Sequence, residues 1–137
     1  MLAFILRRLA QAVVVMLAVA SGPDDPNADR FDEDRTALAN TRDATGRALE
    51  VLDGPVNSWA DIEGVGPVVI PYMNHYLANG AVIVPIGGGP QDEPALELLA
   101  KSYPDREVVG VPGALVSFGG GGPHCITQQV PAGTFVS

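Results

Sequence analysis

The sequence predicts a mixed α/β fold: one complete strand-strand-helix-strand (ββαβ) unit, about half a unit before it, and a hydrophobic N-terminal helix. Three observations carry this expectation. Two β-prone runs, 72–78 and 81–86, flank Asn79-Gly80, a pair suited to a type I′ hairpin because both central residues of that turn need φ > 0. A helical stripe follows, in which Ala95, Leu96, Leu99 and Tyr103 share one face. The valine-rich run 107–111 then reads as the returning strand.

Taken in order, residues 1–20 read as a membrane-directed leader. Arg7 and Arg8 precede the apolar run 9–20, which is broken only by Gln11, and Ala18-Val19-Ala20 has the small-x-small form of a signal-peptidase site. The run is short for a bilayer span, which needs about 20 residues. SGPDDPN at 21–27 breaks the pattern with two prolines and marks a domain boundary, leaving 1–20 as leader and 22–137 as the remaining domain. Asn27 is the expected cap of a helix whose polar face carries Asp29, Asp32, Glu33 and Asp34. Phe31, Leu38 and Thr41 lie on its other face, and Gly46 is the expected stop. A short strand is expected over 48–52.

The stretch 54–71 contains Pro55, Pro67, Gly54, Gly64 and Gly66 and reads mostly as linker, with Trp59 as a core plug or, alternatively, a substrate-stacking ring. After the hairpin, Gly87-Gly88-Gly89-Pro90 reverses the chain. Asp92 caps the next helix, Pro94 is tolerated in its first turn, and Pro104 stops it. A further short strand is expected over 115–118, ahead of four glycines.

Composition narrows the function. The net charge of −8 disfavours nucleic acid as a partner, because phosphate binding needs a basic surface, and is compatible with a cationic small molecule. Residues 24–63 hold eleven acids against four arginines, as a solvated helical face would. A single cysteine excludes an intramolecular disulfide and a cysteine-rich zinc site, and His75 and His124 are too few for a metal cluster.

The segment GGGGPHCITQQ at 119–129 holds the candidate chemistry. Successive glycines let backbone approach a ligand and expose amide N–H groups. Set just before Cys125, they could hold a planar substrate over a thiol, which must be partly thiolate to act as a nucleophile. His124 adjoins it in sequence, but in an extended segment neighbouring side chains point to opposite faces. No Gly-Lys-Ser/Thr follows, so a P-loop is unsupported.

GGGGPHCITQQVPAG resembles the GGGGIHCITQQ-P segment of agmatine deiminases, a branch of the guanidino-group-modifying (pentein) superfamily. DDPN at 24–27, DATGRALEV at 43–51, NHYLANGAVIVP at 74–85 and YPDREVVGVPG at 103–113 agree in family order, so the resemblance spans about residues 22–133. It implies a five-bladed α/β propeller of ββαβ units, of which this chain holds part, and a mechanism without cofactor or metal. In that mechanism Cys125 is the nucleophile, attacking the guanidinium carbon of agmatine to yield N-carbamoylputrescine and ammonia. Gly121 and Gly122 border the substrate through their backbone. A cytoplasmic location goes with the deiminase-like part, whereas the leader suggests membrane contact or export.

The resemblance has departures. The family's acid/base histidine, in a His-x-Asp setting, and its guanidinium-gripping carboxylates lie upstream of DDPN, where this sequence has its leader. His75 stands where an aromatic residue is usual, Pro123 where an aliphatic one is, Ala114 where arginine is common and Gly87 where an aromatic is common. A truncated deiminase, inactive alone and prone to self-association, is the leading expectation, and Cys125 is expected to titrate near an ordinary thiol's ~8.5. The alternative is a non-catalytic exported or membrane-tethered binding module. Residues 1–20 also resemble the first transmembrane helix of oligopeptide ABC-transporter permeases, but nothing later is hydrophobic enough to continue as one.

Overall fold

The computed structural model describes residues 16–18 and 28–130, which fall into two compact units, Met1–Val56 and Asn57–Ser137. In the first unit, strand β1 (Met16–Ala18) and strand β2 (Val51–Asp53) pair in parallel, with helix α1 (Ala28–Asn40) between them in sequence. Parallel neighbours need such a crossover, since a tight hairpin joins only antiparallel strands. Residues 16–18 are thus strand and not part of a leader helix. Strands of parallel sheets read as continuous apolar runs, which sequence periodicity does not separate from a buried helix. The rest of the leader and the Asn27 cap lie outside the described residues. Among the described residues, no helix is long and apolar enough to cross a membrane.

Helix α1 ends at Asn40, earlier than Gly46. Thr36, Asn40 and Thr41 turn their side chains back onto the carbonyls of Asp32, Thr36 and Ala37, a competition that weakens helix continuation. Gly46, at φ +83°, serves a different turn. There the Asp43 carboxylate accepts hydrogen bonds from Thr45 N, Thr45 Oγ1 and Arg47 N at 2.7–2.9 Å. These bonds, the Thr45 hydroxyl first, hold the Asp43 carboxyl well below the usual carboxylate range. An exposed ion pair joins Arg35 on α1 to Asp53 on β2.

The second unit opens with a hairpin where a linker was expected. Strand β3 (Asn57–Ile62) pairs with strand β4 (Gly66–Pro71) in antiparallel register from Asn57↔Pro71 to Ile62↔Gly66. Gly64 and Gly66, which had suggested a linker, supply positive φ in and beside the three-residue loop. Burial alternates along β4, with Val68 and Ile70 inside and Val69 outside. Trp59, opposite Val69, is 59% exposed and so is not a core plug.

A single 3₁₀ turn, Tyr72–Asn74, leads into strands β5 (Tyr76–Ala78), β6 (Ala81–Ile86) and, after helix α2 (Asp92–Ser102), β7 (Glu107–Pro112). Their sheet has the order β5-β6-β7, with β5 antiparallel and β7 parallel to β6. This is the expected ββαβ unit. Only Gly80 of the Asn79-Gly80 pair has positive φ, the sign pattern of a type II turn and not of the expected type I′. Tyr72, Val82, Val84, Ala95 and Leu99 form the core, with Leu77, Ile86, Leu96, Tyr103 and Val108 packed against it.

The run 115–118 is helical: helix α3 (Ala114–Phe118) starts after Gly113. A Cβ on Gly113 would lie 2.7 Å from Pro85 Cβ and 2.8 Å from Ile70 Cγ2, so the chain turns here at a position with room for glycine alone. Gly87 shows a similar constraint, because a Cβ there would meet Ser58 Oγ at 2.5 Å and the Trp59 carbonyl at 2.7 Å. The aromatic residue common at that position would not fit against β3 as it lies here.

Candidate active site

Three short segments of the second unit build the site: the end of β4, the 3₁₀ turn and the glycine loop after α3. Gly119 and Gly120 close α3, their amides bonding the carbonyls of Leu115 and Ser117, and Gly120 takes φ +95°. Residues 123–126 then form a tight turn and not an extended segment. Cys125 N donates to Gly122 O at 3.0 Å, and Thr127 Oγ1 donates to Pro123 O at 2.7 Å. Cys125 therefore sits exposed on a turn whose backbone is internally bonded.

Its sulfur faces Asn74. Asn74 Nδ2 lies 3.0 Å from Sγ and Oδ1 3.4 Å, so the nearer group is the donor, which favours thiolate. This bond first, and the Gly122 backbone second, lower the Cys125 thiol below its ordinary value despite a small opposing effect of burial. The direction of the shift is away from an unperturbed thiol, and its agent is an amide where an imidazolium would be usual.

The glycines make this approach possible. A Cβ on Gly121 would lie 2.8 Å from Cys125 Cβ and 3.0 Å from Sγ. One on Gly122 would lie 2.8 Å from Asn74 Cβ and 3.0 Å from Asn74 O. Asn74 O in turn accepts from His124 N at 3.2 Å, so Asn74 holds the loop by its backbone and the thiol by its side chain. Asn74, with Pro71, Met73 and His124, also lines an open cavity of about 330 Å³, at the small end of the range for ligand pockets.

His75, next to Asn74, turns inward. Nδ1 lies 3.0 Å from Tyr72 O and Nε2 3.4 Å from the Tyr103 hydroxyl, with the two rings edge-to-face. Burial pushes its pKa down, against the Tyr72 carbonyl bond, and His124 adds to the lowering. Among the described residues, Asn74 is the hydrogen-bond partner of the Cys125 sulfur, and neither imidazole bonds it.

The family model for Porphyromonas-type peptidyl-arginine deiminases matches residues 5–131. The chain belongs to that family. The matched span begins at residue 5, ahead of Arg7 and Arg8. Agmatine deiminase of Pseudomonas syringae pv. tomato is 39% identical over 135 residues, covering 86% of this chain and 37% of that protein. Agmatine deiminase of Stutzerimonas stutzeri is 37% identical with the same coverage. The solved agmatine deiminase of Enterococcus faecalis superposes with a TM-score of 0.67 at 32% identity, over 84% of this chain and 36% of that one. The fold is thus the partial ββαβ architecture of this family's deiminases. The chain spans little more than a third of the length of the relatives it matches.

Within this deiminase-family chain the three residues singled out from sequence, Cys125, Gly121 and Gly122, do meet at one place. Sequence reasoning missed Asn74. Its one available signal was its position at the head of NHYLANGAVIVP, a motif that carried the resemblance but no assigned role.

Proposed function

We propose that this chain carries the nucleophile of a deiminase-type hydrolase acting on a small guanidinium compound, agmatine being the substrate the named relatives suggest. The observation that carries the reading is the Cys125 sulfur held at 3.0 Å from the amide of Asn74, a residue that also lines an open cavity. The thiolate adds to the guanidinium carbon. A proton reaches one terminal nitrogen, its C–N bond breaks, and ammonia leaves a thiouronium on Sγ. Water adds to the same carbon, the C–S bond breaks, and the ureido product departs with the thiolate restored; from agmatine this is N-carbamoylputrescine. Gly121 and Gly122 border the reacting carbon through their backbone. The sequence of steps calls for no cofactor.

Both halves of the reaction move protons, and an amide cannot. General acid/base groups contribute about 10²–10⁴ in rate. With Asn74 as the sulfur's bonding partner, the 137-residue chain is expected to capture guanidine-like electrophiles at Cys125 without measurable ammonia release from agmatine. Intact-mass measurement with a haloacetamidine, beside a neutral haloacetamide, tests this. Faster labelling by the cationic reagent, lost in Cys125→Ser, is expected. Equal labelling by the two would remove the guanidinium reading, and robust Cys125-dependent ammonia release would remove inactivity of the isolated chain.

A further inference from the structure

The most elaborate buried polar cluster in the second unit lies away from the thiol, around Asp92. This residue was expected to cap α2, but it is the first residue of the helix and its carboxylate bonds elsewhere. Oδ1 accepts from the Tyr72 hydroxyl at 2.7 Å and from Gly87 N at 3.3 Å, and Oδ2 accepts from Gly88 N at 2.6 Å. Asp92 is 8% exposed and Tyr72 fully buried. The Ser58 hydroxyl, also buried, makes no hydrogen bond of normal geometry, yet lies close enough to the carboxylate to favour its charge. Burial raises the Asp92 carboxyl, but Tyr72, Ser58 and the two glycine amides together hold it below its ordinary value. Burial first, with the neighbouring charge of Asp92, pushes the Tyr72 hydroxyl up to about 12, so it remains a donor at neutral pH.

What this cluster holds is the first residue of the 3₁₀ turn that ends in Asn74. Tyr72 is fixed twice, by its hydroxyl to Asp92 and by its carbonyl to His75 Nδ1. Two residues on, Asn74 presents its amide to Cys125 and its carbonyl to His124 N. The turn is three residues long, so a shift at Tyr72 reaches Asn74 through Met73 alone. An N–H···S contact is sensitive to such a displacement, because hydrogen bonds weaken steeply once distance or angle departs from the optimum.

We propose that Asp92 is a positioning residue for the Cys125 thiol: through the Tyr72 hydroxyl it sets the height of the 72–74 turn, and thereby the contact between Asn74 and the sulfur. The proposal rests on the reading of Cys125 as nucleophile for its functional meaning, but the geometry it describes is independent of substrate. Among the described residues, the titratable side chains next in sequence to the two partners of this contact are His75, which turns inward to Tyr103, and His124 on the loop, and the test replaces neither.

The test is the pH dependence of Cys125 alkylation by iodoacetamide in the intact chain. Tyr72→Phe keeps the buried ring and removes the hydroxyl. Its thiol pKa is expected to rise by about half a unit, roughly a threefold loss of thiolate at neutral pH. Asp92→Ala is expected to match it. Asp92→Asn, which retains an acceptor for the Tyr72 hydroxyl, is expected to stay closer to the parent. In an Asn74→Ala background, Tyr72→Phe should add nothing, since the path runs through Asn74. Should Asp92→Ala fail to fold, Tyr72→Phe and the Asn74 double variant carry the test. Variants that melt earlier but keep the parental thiol titration would show Asp92 to be structural only and overturn the proposal. Absence of haloacetamidine selectivity would leave it standing while removing the catalytic reading.

Discussion

The side-chain amide of Asn74 meets the sulfur of Cys125 across 51 positions of chain, with Nδ2 the nearer atom at 3.0 Å. A neutral group thus favours the thiolate in a place where a cation would be the usual agent. The contact depends on two glycines and a short turn, and each can be altered separately.

Replacing Asn74 by alanine removes the donor to the thiolate. The thiol pKa is lowered by that bond, so its loss moves the pKa up, and at neutral pH the thiolate fraction falls. Alkylation at pH 7 is expected to slow by about three- to tenfold. Well above the pKa the variant should react at least as fast, because nucleophilicity rises with thiol pKa. An unchanged pH-rate profile would show that Asn74 does not tune the sulfur.

Gly122→Ala should reproduce the thiol effect of losing Asn74 without replacing Asn74 itself. The added Cβ would fall 2.8 Å from Asn74 Cβ, and the loop has to back away from the turn. The same alkylation profile, with a melting curve beside it, distinguishes displacement from unfolding. A parental profile would mean that the loop absorbs the methyl elsewhere.

Leu99→Ala in the core should cost about 2–5 kcal/mol in urea unfolding. Leu99 packs with Tyr72, Val82, Val84 and Ala95 beneath the sheet. Leu115→Ala, at a residue 76% exposed, should stay within about 0.5 kcal/mol. Similar costs for the two would contradict the assignment of core and surface.

The chain is expected to self-associate with rising concentration. Leu115 and Phe118 on α3 and Trp59 on β3 are large apolar side chains more than half exposed, and among the described residues β3 and β4 pair only with each other. Unpaired strand edges and exposed apolar surface favour association. Sedimentation velocity should show concentration-dependent mass, reduced in the double variant Leu115→Glu/Phe118→Glu. A monomer at every concentration would refute this.

The second unit's central elements were legible because local signals agreed with one another. Ala95 and Leu99 recur at helical spacing, Pro104 ends the helix, and valines mark the strands on either side. Where short segments carried mixed signals, reading failed. Gly64, Gly66 and Pro67 spoke for a linker, whereas two of them are the glycines a tight hairpin needs. The apolar run at 115–118 has no period long enough to separate strand from helix. At 16–18 the same ambiguity favoured a helix over a parallel strand.

By itself the sequence determined the ββαβ unit, the nucleophile candidate at Cys125 and the glycines beside it, because turn chemistry, helical period and a local motif are properties of neighbouring residues. The tertiary structure alone decided that Asn74 meets the thiol and that Asp92 bonds Tyr72 instead of capping its own helix. Both are contacts between segments far apart in the chain, 51 residues in one case and 20 in the other. Such contacts exist only once the core has closed and brought the 3₁₀ turn against the glycine loop.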